Sequence, residues 1–229
     1  MKIIAHRGNS AQWPENTMAA FRSAWETGAD GIELDVQLSA DRHIVVFHDE
    51  DGLRLAGDPR RVADCPLSEL RRWSIRGEAM PRLEDVLTET PPASLVMIEV
   101  KTGPEILPAL GEVLRAGRVA GVVILTFDPE VASAARILEL PVWLNVEAEN
   151  ASRIDEVIQL VAREKLSGIS LGWSDAIDQS LVDRVHGADL PLAVWTVNDA
   201  ADARRASAWG VDLLMTDDPA TIRSVPGHA

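Results

Sequence analysis

The sequence predicts an α/β protein that folds as a (β/α)8 barrel with a short insertion following the second strand. Eight strand-like runs alternate with helical segments along the 229 residues. Because parallel neighbours need a crossover connection, this alternation indicates a parallel sheet, and the length suits its closure into one barrel. A doubly wound open sheet is the alternative, but no GxGxxG motif follows a strand to support a dinucleotide-binding version of it.

The predicted barrel strands are short apolar runs, and some of them alternate with polar residues. In the segment 31–36, the aliphatic side chains would face one way while Glu33 and Asp35 face the other. That segment raises the question of what two neighbouring acids on one strand face would contact. The strands are predicted over residues 2–6, 31–36, 95–101, 122–127, 141–146, 168–171, 192–197 and 211–216.

Helical segments separate these strands. Pro, Asp, Asn or Ser stands at the start of most of them, as helix N-termini prefer. The helices are predicted over residues 16–27, 83–89, 104–116, 129–138, 151–165, 178–187 and 199–208, and a last short one follows Pro219.

One further strand, residues 43–49, begins only four residues after the stretch GIELDVQL ends. Four residues are too few for a crossover helix, so the two strands are predicted to form an antiparallel hairpin. A turn centred between the second and third of these residues would put Val46 opposite Asp35 and His48 opposite Glu33.

The chain is expected to be a single domain over residues 1–229, because the length fits one barrel better than two independent domains. Residues 50–82 are predicted to be a small insertion within it, with a short helix in the stretch PLSELRRW.

The composition excludes several classes of partner. A net charge of −14 repels nucleic acid and anionic lipid headgroups, so a phosphate-bearing substrate would need a local positive site. There is no apolar run long enough for stable membrane insertion, and the stretch MKIIAHRG meets a charged pair too early for a secretion signal. Cys65 is the only cysteine, so no internal disulfide forms. We therefore expect a cytoplasmic protein. The sequence does not decide between a monomer and a homodimer.

Three acids are expected at the carboxyl ends of strands, where barrels of this type carry their working residues. Glu33, Asp35 and Glu99 would repel one another unless a cation or protons neutralise them. Hard oxygen ligands suit Mg²⁺, Ca²⁺ or Mn²⁺, whereas zinc more often recruits His or Cys. The alternative is that each acid pairs with a nearby Arg or Lys. The three together favour a metal site.

Two of the five histidines, His6 and His48, fall at strand ends beside these acids. A histidine can accept or donate a proton near pH 7, so the pair suggests general acid–base chemistry. Arg7 and Lys101 would supply local positive charge, Arg through paired hydrogen bonds to a phosphate. Salt bridges to the acids are the alternative for both. The remaining histidines are predicted to be structural or exposed: His43, His186 and His228.

The stretch Pro14-Glu15-Asn16-Thr17 has a sufficient structural explanation, since Asn16 or Thr17 would cap the helix that follows. Because Glu15 and Asn16 lie on the first βα loop, we also expect them within reach of the site.

Taken in order, these motifs resemble the glycerophosphodiester phosphodiesterase family along nearly the whole chain. A single tetrapeptide would be weak support, whereas the ordered set is specific. The motifs that carry the resemblance are His6-Arg7-Gly8, Pro14-Glu15-Asn16-Thr17, Glu33-Leu34-Asp35-Val36, His48-Asp49, Glu99-Val100-Lys101, Trp195-Thr196-Val197-Asn198 and Thr216-Asp217.

The resemblance implies a TIM barrel, a divalent metal (Mg²⁺ or Ca²⁺) and hydrolysis of a small-molecule glycerophosphodiester to sn-glycerol 3-phosphate and an alcohol. It also implies roles for individual residues. These are metal ligation by Glu33, Asp35 and Glu99, general acid and base roles for His6 and His48, phosphate contacts for Arg7 and Lys101, and a pocket wall on the glycerol side for Trp195.

The chain departs from the family pattern after His48-Asp49. Only Leu53 and Arg54 survive of a Leu-x-Arg-Thr-Thr pattern, which puts the identity of the released alcohol in doubt. Near strand six, the stretch GISLGWSDAI replaces the usual polar ending, and Trp173 is expected to project there.

Two other functions remain open at this stage. One is a lysophospholipase D or phospholipase C-like phosphodiesterase on the same barrel, whose lipid would approach over Trp13, Trp173 and Trp195. The other, less favoured because every expected site residue is present, is a non-catalytic metal- or phosphate-binding barrel. The sequence does not decide which histidine is the acid. It leaves water or the neighbouring glycerol hydroxyl as the nucleophile.

Overall fold

The computed structural model describes residues 1–117, 119 and 121–224, so His228 lies outside the described residues. It confirms a closed barrel of eight parallel strands with helices between them. The barrel strands are β1 (Lys2–Ala5), β2 (Gly31–Leu38), β3 (Leu95–Val100), β4 (Gly121–Thr126), β5 (Val142–Val146), β6 (Gly168–Gly172), β7 (Leu192–Trp195) and β8 (Leu213–Thr216).

The first strand closes the barrel because it pairs with two neighbours. Ala5 lies opposite Ile32 of β2 and opposite Thr216 of β8. Each strand from β2 to β7 pairs in parallel with the strand that follows it. All carboxyl ends therefore meet at one end of the barrel, where the strand-end residues singled out above come together.

Alternation along each strand divides the apolar residues between two packing regions. Ile4, Met97 and Trp143 belong to a cluster that fills the barrel, whereas Ile32 and Leu34 belong to the larger cluster beneath the helices. Full burial of one such side chain is worth about 1.5–3 kcal/mol. The outward packing of β2 forces its polar face into the barrel.

Five of the eight helices that cover the barrel begin at a residue whose side chain caps the helix. The capping side chains that accept a backbone N–H are those of Thr17, Asp128, Asp178, Asp199 and Asp218. The covering helices are Met18–Glu26, Leu83–Glu89, Leu107–Ala116, Pro129–Ala135, Ile154–Glu164, Gln179–His186, Ala200–Ala208 and Pro219–Arg223. Among the described residues, no helix is long and apolar enough to span a membrane.

The hairpin forms as predicted, but its predicted register is wrong by one residue. The strand Ile44–Val46 pairs with β2 so that Val46 lies opposite Val36. The Phe47 N–H donates to the Asp35 carbonyl at 3.0 Å. The turn is one residue longer than expected because Arg42 adopts the left-handed conformation, with φ +65°, which suits a three-residue hairpin loop.

Residues 50–82 fold onto this hairpin around an apolar cluster of their own. Phe47 of the hairpin packs edge-on against Trp73, with ring centroids 5.8 Å apart, and Val62 and Met80 belong to the same cluster. The predicted short helix is present at Leu67–Leu70. The other elements are the strands Asp51–Gly52, Asp58–Arg61, Ser74–Ile75 and Glu78–Ala79, the helix Leu53–Ala56 and the 3₁₀ turn Val62–Asp64.

Candidate active site

The carboxyl ends of the barrel strands surround a cavity of about 350 Å³. Functional sites of (β/α)8 barrels lie at this end. The candidate catalytic, substrate-binding and metal residues all line it except Asp35, which lies buried beside Glu33 and Glu99. Glu15 and Asn16 do not line it, but they contact Arg7 and Asp35. The lining residues are His6, Arg7, Glu33, His48, Glu99, Lys101, Leu125, Phe127, Asn145, Glu147, Trp195 and Met215.

Three carboxylates converge at the floor of this cavity. The register of β2 and β3 places Asp35 beside Glu99, and Glu33 precedes Asp35 on the same face of β2. One oxygen from each of the three lies within 4.8 Å of an oxygen of both others. Asn16, at φ +58°, orients Asp35, because its Nδ2 donates to Asp35 Oδ2 at 2.8 Å and its Oδ1 accepts from the Asp35 N–H at 3.3 Å.

Within the part of the chain that the structure describes, the two cations beside this cluster, Arg7 and Lys101, are too few to neutralise its three carboxylates. Burial and the charge of Asp35 raise the pKa of Glu33 and of Glu99 above their usual range. Lys101 Nζ donates to Glu99 Oε1 at 2.7 Å and lies 3.7 Å from Asp35 Oδ1. Asp35 Oδ1 is buried without a hydrogen-bond partner among the described residues. A buried cluster of oxygen donors with an unsatisfied carboxylate fits a hard divalent cation.

His6 is held by a carboxylate from the neighbouring strand end. Its Nδ1 lies 2.8 Å from Asp217 Oδ1, and its Nε2 lies 4.0 Å from Glu33 Oε2. Ser10 Oγ and Asn198 Nδ2 donate to Asp217 at 3.0 and 2.7 Å. Burial opposes the charged ring, but the hydrogen bond with Asp217 and the charge of Glu33 outweigh it and raise the pKa of His6.

His48 also bonds to a carboxylate, but one that belongs to its own chain segment. Its Nδ1 lies 2.7 Å from Asp49 Oδ1. Arg54 Nε and Nη2 donate to the two oxygens of Asp49 at 2.6 and 2.9 Å. Burial lowers the pKa of His48, although the charge of Asp35 and the hydrogen bond with Asp49 oppose the shift.

Arg7 supplies positive charge next to the acids. Its backbone N–H donates to Glu33 Oε2 at 3.1 Å, and its Nε lies 3.3 Å from Asp35 Oδ2. Its Nη1 donates to Glu15 Oε1 at 2.8 Å. The backbone at Arg7 is left-handed, with φ +55°, so that the N–H and the side chain reach the same acidic cluster. In a chain of net charge −14, Arg7 and Lys101 are the arginine and the lysine that line this cavity, where an anion would share them with the three acids.

Comparison with known proteins identifies the family to which this barrel belongs. The profile of the Glycerophosphoryl diester phosphodiesterase family matches residues 6–221. The chain belongs to the glycerophosphoryl diester phosphodiesterase family. It is therefore an enzyme, a phosphodiesterase of the hydrolase class.

Similar proteins agree with this membership over almost the full length of this phosphodiesterase. A glycerophosphodiester phosphodiesterase of Caldanaerobacter subterraneus is 32% identical over 236 residues, which cover 96% of this chain and 95% of the relative. An Oleispira antarctica phosphodiesterase, solved in complex with the product sn-glycerol-3-phosphate, is 25% identical with a TM-score of 0.89, covering 98% of this chain and 96% of its own. A glycerophosphodiester phosphodiesterase of Thermotoga maritima is 27% identical with a TM-score of 0.84, covering 96% of each chain.

One wall of the phosphodiesterase cavity is apolar. Phe127 packs edge-on against Trp195, with ring centroids 5.7 Å apart. Of the other tryptophans considered for a lipid approach, Trp173 stacks on Trp209 at 5.9 Å and does not line the cavity. Trp13 is 45% exposed and also lies outside the cavity lining.

Sequence reasoning gave no role to several polar residues of this site. Asp217 belongs to one of the family motifs and follows β8, and pairing of β1 with β8 places it beside His6. Asn145 lies on the inner face of β5, where its Nδ2 donates to Glu99 Oε2 at 3.1 Å. Alternation along β5 was the available signal for Asn145. For Arg54, in the irregular segment, the signal was its survival from the family's Leu-x-Arg-Thr-Thr pattern, which gave it no role.

The described histidines outside the cavity lie on the surface. His43 Nε2 is 4.0 Å from Asp41 Oδ2, and His186 Nε2 is 3.0 Å from Asp212 Oδ2.

Proposed function

We propose that this enzyme hydrolyses glycerophosphodiesters to sn-glycerol 3-phosphate and an alcohol, using a divalent cation and two histidines. One observation carries the proposal: three buried acids and two histidine–carboxylate pairs meet at one cavity. The product bound to the Oleispira relative supports glycerol 3-phosphate as the phosphate-bearing product here.

Glu33, Asp35 and Glu99 would hold the cation, either Mg²⁺ or Ca²⁺. The donor set is all oxygen, and the buried Asp35 Oδ1 is available for a ligand. When bound, such a cation neutralises negative charge on phosphate oxygens. Asn16 keeps the other Asp35 oxygen occupied, so that the free oxygen turns toward the cluster.

His6 and His48 would move the protons. In each, a carboxylate bonds Nδ1, which leaves Nε2 for the substrate. The raised pKa of His6 favours the protonated ring of a general acid, and the lowered pKa of His48 favours the neutral ring of a general base. His48 would take a proton from the nucleophile, and His6 would protonate the departing alkoxide.

Arg7 and Lys101 would bind the phosphate, because they are the cations that line the cavity. Trp195 would form the wall on the glycerol side, as the family resemblance implies. The substrate in this scheme is a small molecule that enters the cavity whole.

The test is to strip the enzyme of metal, re-supply Mg²⁺ or Ca²⁺ and follow glycerol 3-phosphate release. Glycerophosphocholine, glycerophosphoethanolamine, glycerophosphoglycerol and lysophosphatidylcholine are compared as substrates. We expect no turnover without metal, recovery on its return, and glycerol 3-phosphate from the water-soluble diesters. Full activity in the stripped enzyme contradicts the metal scheme, and preferential cleavage of lysophosphatidylcholine favours the lysophospholipase D alternative.

A further inference from the structure

Arg54 lies in the segment 50–82 and does not line the cavity, yet its guanidinium joins two sides of it. It donates to both oxygens of Asp49, at 2.6 and 2.9 Å. It also donates to both oxygens of Glu15, at 2.9 and 2.8 Å. Paired bonds to two carboxylates fix a guanidinium far more firmly than a single surface ion pair does.

Each of these carboxylates contacts a residue that lines the cavity. Asp49 Oδ1 bonds His48 Nδ1 at 2.7 Å. Glu15 Oε1 bonds Arg7 Nη1 at 2.8 Å. Arg54 is therefore one carboxylate away from His48 and one carboxylate away from Arg7.

The charges show why the bridge is needed. Glu15 and Asp49 both bond the same guanidinium, and without it each would keep one partner, Arg7 for Glu15 and His48 for Asp49. The hydrogen bonds from Arg54 help hold the pKa of Glu15 and of Asp49 at about 2. Loss of Arg54 would leave like charges that repel, and each carboxylate would be free to rotate away from its partner at the cavity.

The backbone at Asp49 is held independently of Arg54. Gln37 Nε2 donates to the Asp49 carbonyl at 2.6 Å and to the Phe47 carbonyl at 2.9 Å. Removal of Arg54 would therefore release the Asp49 side chain while the hairpin end keeps its position.

We propose that Arg54 is a positioning residue that ties His48 and Arg7 into their working geometry from the insertion. The proposal rests on the proposed function, because that function makes His48 a proton-transfer group. Arg54 itself touches neither the substrate nor the reacting atoms. Its effect passes through Asp49, which selects the His48 tautomer with the proton on Nδ1, and through Glu15, which orients the Arg7 fork.

The experiment compares Arg54→Gln with Arg60→Gln. Arg60 is a matched control, because it lies in the same segment, is 50% exposed against 49% for Arg54, and bonds two acids, Asp58 and Glu69. Neither of these acids lines the cavity. We expect Arg54→Gln to lower kcat by about tenfold or more, as loss of a supporting hydrogen bond does in enzyme sites, while Arg60→Gln stays within about twofold.

Arg54→Lys separates geometry from charge. A lysine restores the positive charge but not the paired hydrogen bonds to Asp49 and Glu15. We therefore expect it to recover less than half of the turnover lost in Arg54→Gln. In the background of Asp49→Ala, Arg54→Gln should reduce kcat by a smaller factor than in the wild-type background, because the path from Arg54 to His48 runs through Asp49 and only the path through Glu15 is left. Equal factors in both backgrounds would overturn the proposal.

Side-chain NMR of His48 provides a readout that needs no turnover. We expect one Nδ1–H tautomer in the wild type and in Arg60→Gln, and a mixture in Arg54→Gln. A single unchanged tautomer together with unchanged kcat in Arg54→Gln would overturn the positioning role. If the wild type releases no glycerol 3-phosphate, the proposed function fails, while the tautomer result still decides whether Arg54 orients His48.

Discussion

The two histidine–carboxylate pairs of the cavity have the same local chemistry but different support. Asp217, beside His6, receives hydrogen bonds from the neutral groups of Ser10 and Asn198 at the closure of the barrel. Asp49, beside His48, receives its hydrogen bonds from the half-exposed charge of Arg54. The His6–Asp217 pair is held by the barrel and the His48–Asp49 pair by the insertion. The two pairs should therefore respond differently to salt, to pH and to the loss of a neighbouring charge.

The electrostatic surroundings differ in the same way. For His6, two acids outweigh burial and the pKa rises. For His48, burial prevails and the pKa falls, with the positive charges of Arg7 and Lys101 adding to the decrease. Two imidazoles with separated pKa values are suited to opposite protonation states at one pH.

The largest expected effect comes from removing either ring. His6→Ala and His48→Ala should each lower turnover by at least about a hundredfold with the fold retained. A substrate with a p-nitrophenolate leaving group, which departs without a proton, should restore much of the rate of His6→Ala and little of that of His48→Ala. Rescue of His48→Ala instead would exchange the two roles, and near-normal turnover in either variant would contradict the pairing.

The carboxylates should move opposite limbs of the pH profile of kcat/KM. The hydrogen bond with Asp217 raises the pKa of His6, so Asp217→Asn should shift the basic limb to lower pH and narrow the bell. Asp49 opposes the lowered pKa of His48, so Asp49→Asn should shift the acidic limb to lower pH and widen it. We expect shifts of about one pH unit. If both variants narrowed the pH profile, or both widened it, the two carboxylates would not act on histidines with opposite roles.

Acid unfolding should depend on the charge network of the insertion. The pKa of Glu15 is lowered to about 2 from 4.5 by its arginine partners, although burial opposes this. A lowered folded pKa stabilises the protein above the unfolded value, and this contribution is lost as the pH falls from about 4.5 toward 2. In urea unfolding, Glu15→Gln should therefore lose less stability than the wild type across this window.

Salt provides the control for that prediction. In 1 M salt, where the Debye length is about 3 Å, the difference between Glu15→Gln and the wild type should shrink because Arg54 is half exposed. The pKa of Asp217 is also lowered to about 2, but its supporting donors beyond His6 are neutral. The corresponding difference in acid stability between Asp217→Asn and the wild type should therefore change less with salt than that of Glu15→Gln. Equal salt sensitivity would contradict the difference in support.

The smallest expected effect is that of Ser10→Ala. Asp217 would keep its bonds to His6 and Asn198, so it loses only one donor, a hydroxyl whose single proton the His6 carbonyl also faces at 2.9 Å. Turnover should fall by no more than a few fold. A loss as large as that of His6→Ala would mean that Ser10 has a role beyond supporting Asp217.

The barrel and the acidic cluster were predictable because both follow from local periodicity. Alternation placed Glu33 and Asp35 on one face, and parallel pairing of the next strand brought in Glu99. The hairpin register was not predictable, since it depends on Arg42 adopting a left-handed conformation that L-residues rarely take.

The supporting residues were harder to predict for a different reason. Asp217 meets His6 only when the barrel closes, across 211 residues of sequence. Arg54 meets Glu15 across 39 residues, from a segment without periodicity. Their roles depend on tertiary placement, which no local pattern encodes.

The most direct test of the central claim is a calorimetric titration of metal-stripped enzyme with Mg²⁺ and Ca²⁺. The wild type and Glu149→Gln, which removes an exposed acid outside the cavity lining, should bind one cation per chain. Asp35→Asn should bind it at least about tenfold more weakly, because it loses the buried ligand at the centre of the cluster. Equal affinity in all three proteins would contradict a cation held by Glu33, Asp35 and Glu99.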